Sequence, residues 1–183
     1  RPIVAIVGRP NVGKSSLFNR IVGKRHSVVD PTPGVTRDRI MLPVQWDRRE
    51  FLLVDTGGLV PRTTDTMELR ITEQVQMALE EAHVVVLLCD VQSGPTDLDR
   101  DVARELRRSK LPSLVVVNKV DTVKWESDWQ EFHSLGLGEP VPVSAMSGRS
   151  VGDMLDEIVK ALPPENKADN DPDGIKVALL GRP

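Results

Sequence analysis

Gly8-Arg9-Pro10-Asn11-Val12-Gly13-Lys14-Ser15 sets a lysine and a hydroxyl residue directly after the second of two glycines. The spacing G-x-x-x-x-G-K-S is that of a phosphate-binding loop, and each residue type in it has a chemical task. The glycines let the loop curl until successive amide N–H groups point inward at an anionic phosphate chain. A helix opening at Lys14 adds unsatisfied N–H groups and a partial positive charge at the same place. Lys14 then reaches the β- and γ-phosphates, and the Ser15 hydroxyl is placed to ligate Mg²⁺. Gly8, Asn11, Val12, Gly13 and Ser16 complete the phosphate-facing set. A chance glycine turn would explain the glycines but not their setting, because the apolar, largely β-branched run Ile3–Val7 leads straight into them.

A phosphate loop says nucleotide without saying which. Asn118-Lys119-Val120-Asp121 points to guanine: the Asp121 carboxylate accepts from the ring N–H and the exocyclic amino group. Adenine presents no such donor pair, and a buried carboxylate left unpaired is costly. Ser144 and Ala145, with Met146 after them, are expected to complete the base pocket by offering a backbone N–H to the guanine oxygen. Asp55 ends another apolar run, the place from which P-loop NTPases support Mg²⁺, here through a water. Gly58 has no side chain to keep its N–H from the γ-phosphate. Hydrolysis would break that contact and release the loop behind it. A hydroxyl from the polar stretch 24–38 should finish the Mg²⁺ shell; Thr36 is the choice and Thr32 its rival.

These residues need a frame. Ile3–Val7, Ile40–Trp46, Phe51–Val54, Val84–Cys89, Leu114–Val117 and Val141–Val143 read as strands, and Pro43 puts the second of them at a sheet edge. The polar residues 47–50 read as a hairpin turn. Helices are expected after Lys14, near 67–82, at 97–109, near 127–134 (short and polar) and at 150–162, the others each with apolar residues on one face. The third of these places Leu98, Val102, Ala103 and Leu106 inward, and the last Val151, Met154, Leu155, Ile158, Val159 and Leu162. Alternating strand and helix predicts an α/β fold: a P-loop NTPase with a mostly parallel six-stranded sheet, one antiparallel edge strand and helices on both faces. Ligands in such sheets sit beyond the C-terminal ends of the strands, where every motif named above falls.

With 183 residues, 39% hydrophobic and 28% charged, the chain fits a globular domain able to bury a core. A net charge of −3 supplies no broad basic field for nucleic acid. One cysteine, Cys89, excludes an internal disulfide and suits a reducing compartment, and its apolar strand marks it as core. No apolar run approaches a membrane span. His83 and His133 have no neighbours at ligand spacing, so no further metal site is expected. Trp125 and Trp129 stand four apart on the short helix near 127–134 and read as one packed face.

Residues 164–174 form an acidic, aperiodic linker after a domain at 1–163. At 175–183 the chain repeats its own beginning: Val177, Ala178, Gly181, Arg182 and Pro183 match Val4, Ala5, Gly8, Arg9 and Pro10. The expectation is a tandem protein cut where a second phosphate loop begins, with Arg1 in place of Met marking a fragment.

Taken in order, these elements resemble the Era and EngA branch of the translation-factor-like GTPases over residues 3–162. Pro33-Gly34-Val35-Thr36-Arg37-Asp38 and Asp55-Thr56-Gly57-Gly58, with the phosphate loop and the terminal repeat, resemble the EngA (Der) family in particular. The resemblance implies a Ras-like G domain that hydrolyses GTP to GDP and phosphate, followed by a second G domain and a KH-like domain. It also implies a bacterial cytoplasmic or organellar factor that meets ribosomal RNA during large-subunit assembly. Lys14, Thr36 and Gly58 then take catalytic roles. Leu59 stands where Ras-like proteins place a water-orienting glutamine. Relatives with such a hydrophobic replacement often use K⁺ beside the phosphates, marked by an Asn at the Asn11 position, so the resemblance implies a K⁺ ligand role for Asn11. Alternatives are a tRNA-modification GTPase of the same branch, or a guanine-nucleotide module that regulates its neighbour with little hydrolysis. A small-molecule kinase is disfavoured, since N-K-x-D has no task there. Arg37, Arg39, Arg62 and Lys24-Arg25-His26 read as solvated loop charge rather than RNA contacts or an arginine finger.

Overall fold

The structure is a computed structural model that describes residues 1–23, 41–58 and 66–165. Thr32, Thr36, Arg37, Arg39, Leu59, Arg62, the Lys24-Arg25-His26 run and the repeat at 175–183 therefore lie outside the described residues.

Among the described residues the α-helices and strands follow in the order β1 (Ile3–Val7), α1 (Lys14–Ile21), β2 (Met41–Trp46), β3 (Arg49–Asp55), α2 (Met67–Glu81), β4 (Val84–Asp90), α3 (Asp97–Ser109), β5 (Ser113–Asn118), β6 (Val141–Pro142) and α4 (Val151–Ala161). The strands form one sheet in the order β2-β3-β1-β4-β5-β6. Only β2 runs antiparallel to its neighbour, and it lies at the edge, where Pro43 removes no needed ladder donor. Alternation along each strand sorts the apolar residues to two faces. Val4 and Ile6 of β1 pack with Leu17, Phe18, Met154 and Ile158 on one side. Ala5 and Val7 pack with Ile71, Val75, Val102 and Leu106 on the other. Cys89 lies in that second core, fully buried, and burial raises its thiol pKa well above the ordinary value. Among the described residues no helix is long and apolar enough to cross a membrane.

Three expectations change. The hairpin turn is two residues, Asp47 and Arg48, with φ of 46° and 62°. Positive φ at both positions gives the backbone twist that matches paired strands, so Arg49 and Glu50 join β3 rather than the turn. The helix expected near 127–134 is instead two 3₁₀ segments, Val123–Trp125 and Asp128–Leu135. Trp125 and Trp129 thus belong to different segments, although both pack against the second core. Strands β4 and β5 each run one residue further than apolar composition indicates, ending on Asp90 and Asn118, which pair with each other.

Candidate nucleotide-binding site

The loop between β1 and α1 is held from several directions. Gly8, Asn11 and Gly13 have φ of 157°, 67° and 100°. Two of these positions demand glycine for space as well. A Cβ on Gly8 would lie 2.4 Å from the Leu88 carbonyl oxygen, and one on Gly13 would lie 2.3 Å from Asn118 Nδ2. Val12 is buried and plugs the loop into the first core. Arg9 reaches to α3 and the turn before it: its Nε donates to Asp99 Oδ1 at 3.1 Å and its Nη2 to Ser93 Oγ at 2.8 Å.

Lys14 folds back over the loop, its ammonium donating to the carbonyls of Gly8 at 2.6 Å and Arg9 at 2.8 Å. It is 8% exposed. Burial lowers its pKa to about 8; the Asp55 carboxylate opposes that shift and the Arg9 guanidinium adds to it. Ser15 Oγ donates to Asp55 Oδ2 at 2.9 Å, and the Gly57 amide donates to Asp55 Oδ1 at 3.0 Å. Thr56–Gly58 form a 3₁₀ turn directly after β3. Lys14, Ser15, Ser16, Asn11 and Gly57 line an open cleft of about 560 Å³, to which Arg70 and Gln74 of α2 also contribute.

The end of β5 and the residues after it tie the base end of the site to the phosphate end. Asn118 is buried; its Nδ2 donates to the Val12 carbonyl at 2.9 Å, and its Oδ1 accepts from the Ala145 amide at 2.9 Å. Lys119 takes φ of 69° and spans back to the phosphate loop, donating to the Asn11 carbonyl at 2.9 Å and to Asp90 Oδ2 at 2.6 Å. Left-handed backbone at a non-glycine residue costs about 1 kcal/mol or more, and these two contacts hold it in place. The Ser144 hydroxyl donates to Asp121 Oδ1 and accepts from the Ser147 amide.

The structure therefore brings Gly8, Asn11, Val12, Gly13, Lys14, Ser15, Asp55, Asn118, Lys119, Asp121, Ser144 and Ala145 to one end of the sheet. Asn118 and Ala145 bond each other there, the Ala145 amide donating to Asn118 Oδ1 at 2.9 Å. Met146 follows on the exposed tip of that turn. Sequence reasoning missed Asp90, Asp99 and Gln74. Asp99 carries a signal that could have found it, since Thr96-x-x-Asp99 is a helix capping box.

A phosphate loop after the first strand, and an N-K-x-D turn after the fifth strand of a sheet with this order, define a guanine-nucleotide-binding domain of the Ras-like kind. Structures of the same class agree: Era of Aquifex aeolicus bound to GDP and aluminium fluoride is 32% identical, with a TM-score of 0.67, over 89% of this chain and 57% of that one. Era in complex with a segment of 16S ribosomal RNA is 28% identical, with a TM-score of 0.65, over 90% of this chain and 57% of that one. The model of the 50S ribosome-binding GTPase family matches residues 3–119, and the chain belongs to that family. It is also similar to the curated proteins named GTPase Der, at 47% identity to that of Clostridium kluyveri and 50% to that of Agathobacter rectalis. All of this chain is covered in both cases, and it spans 42% of the length of each relative.

Proposed function

We propose that the chain is a GTP-hydrolysing switch, the first of two tandem G domains in a protein that acts in assembly of the large ribosomal subunit. The observation that carries this reading is Asn118, which ties the Val12 carbonyl of the phosphate loop to the Ala145 amide of the base loop. One residue thus sets the separation of the two ends that a single nucleotide must bridge. The tandem arrangement is supported by the repeat of residues 4–10 at 177–183 and by the greater length of the Der relatives.

The residues present fit Mg²⁺. Ser15 Oγ and Asp55 Oδ2 are hard oxygen donors 2.9 Å apart at the mouth of a helix N-terminus, and a nucleotide would add phosphate oxygens. Ser15 and Thr36 would hold the ion directly and Asp55 through water; bound there, it neutralises charge on the phosphates. The chain's own groups do the positioning. Lys14 already sits beside the cleft with its ammonium on loop carbonyls, so contact with the β- and γ-phosphates needs only exchange of those partners. Gly57 leaves room for that side chain, since a Cβ there would lie 2.6 Å from Lys14 Cε. Gly58, the last residue of the same 3₁₀ turn, is the proposed amide donor to the γ-phosphate. Asn11 at the exposed rim is the proposed K⁺ ligand.

Single-turnover release of phosphate from bound GTP tests the reading, run in K⁺ and in Na⁺. Hydrolysis faster in K⁺ is expected; equal rates would remove Asn11 from the K⁺ role, and no release at all would leave a binding module. The base assignment has its own check. Asp121→Asn should shift preference from GTP toward xanthosine triphosphate, and unchanged discrimination among purine nucleotides would refute it.

A further inference from the structure

We infer that Gln74 is a positioning residue for GTP turnover: it joins α2 to both walls of the phosphate cleft through Gly8 and Thr56. This rests on the GTPase reading above.

Gln74 is 3% exposed on the face of α2 that otherwise buries Ile71, Val75 and Ala78. An apolar side chain would fill that position without the cost of burying an amide. The amide has specific partners. Its Oε1 accepts from the Gly8 amide, the first N–H of the phosphate loop, at 3.3 Å. The same oxygen lies 3.2 Å from Thr56 Oγ1, whose hydroxyl donates to the Ile6 carbonyl at 2.6 Å. A carbonyl oxygen has two acceptor sites: one takes the Gly8 amide, and the other faces the Thr56 hydroxyl, whose single proton it shares with the Ile6 carbonyl.

The placement matters because of what lies on either side. Thr56 stands between Asp55, which holds Ser15 and the Gly57 amide, and Gly57, which abuts Lys14. A displacement of α2 therefore pulls on the loop beneath the phosphates and on the turn beside them together. Arg9, Asn118 and Lys119 also hold the phosphate loop, but to α3, the end of β5 and the base loop. Gln74 holds it to the helix that follows the D-T-G-G segment, the segment expected to respond to the γ-phosphate.

Gln74→Met keeps the volume and removes the hydrogen bonds; Thr56→Val does the same at the partner. Each should lower kcat for GTP about tenfold while changing KM and GDP affinity less than about threefold, because only geometry at the γ-phosphate is loosened. The double variant should be slower than the parent by less than the product of the two single effects, since both singles remove the shared Gln74–Thr56 contact. Gln74→Glu, which keeps an acceptor of the same reach, should recover part of kcat. Equal kcat in parent and both single variants, or effects that multiply in the double variant, would overturn the proposal. Should Gln74→Met not fold, amide hydrogen exchange over residues 67–81 decides. A difference between the GDP and non-hydrolysable GTP states that persists unchanged in Thr56→Val would also overturn it. Failure of the parent itself to release phosphate would instead strike the GTPase reading.

Discussion

Lys14 is a cation held where water cannot fully solvate it, and that has a cost in the nucleotide-free chain. Its pKa is lowered by burial to about 8 from 10.5, so between those values the folded chain binds fewer protons than the unfolded one. The burden of the buried charge is present below pH 8 and is relieved as pH rises toward 10.5. Lys14→Met should therefore stabilise the empty chain at pH 7, by at most about 3 kcal/mol, and that advantage should shrink by pH 10. Denaturant unfolding of both proteins at the two pH values reads this out; a constant difference would contradict it. Gly57 tests the same corner from the other side. A Cβ there would meet Lys14 Cε at 2.6 Å and Asp55 Oδ1 at 3.2 Å. The first of these is flexible, so Gly57→Ala should leave the unfolding midpoint nearly unchanged and depress phosphate release at least about tenfold.

At the level of elements, the start of α3 does two things with one carboxylate. Asp99 caps its own helix by accepting from the Thr96 amide at 3.0 Å, and it also takes the Arg9 guanidinium at 3.1 Å. Asp99 is 1% exposed, so removing its charge leaves Arg9 facing an uncompensated site. Thr96→Ala removes the hydroxyl that accepts from the Asp99 amide and should cost about 1 kcal/mol of stability. Asp99→Asn should cost more, about 3 kcal/mol, and should weaken GDP binding, because α3 then releases the phosphate loop. Calorimetric unfolding and GDP titration of the two variants separate capping from loop support. Equal losses in both assays for the two variants would show that the Arg9 contact adds nothing.

Across the whole molecule, the two ends of the nucleotide site come from segments more than a hundred residues apart and meet at one amide side chain. Asn118→Ala strips a donor from the buried Val12 carbonyl and an acceptor from the Ala145 amide, each worth about 1–3 kcal/mol when left unsatisfied. If Asn118 mainly touched the base, its loss would spare ligands that lack one. The bridging geometry predicts otherwise: the variant should bind inorganic pyrophosphate more weakly as well as GDP. Competition of each against a fluorescent guanine nucleotide measures both, and unchanged pyrophosphate binding would return Asn118 to a base-only role.

The sequence by itself determined the strand-loop-helix of the phosphate site, the helices α2, α3 and α4 to within a residue or so, and the edge position of β2. Those follow from local causes: glycine spacing, apolar periodicity and the missing N–H of Pro43. Only the tertiary structure decided that Asn118 and Ala145 bond each other, that Arg9 belongs to α3, and that Gln74 is buried beneath the phosphate loop. These contacts join residues far apart in the chain, and their geometry depends on how the two helical layers seat on the sheet. Hydrophobic pattern specifies which face of a helix goes inward, but a polar residue on that face gains its meaning only from the backbone it meets there.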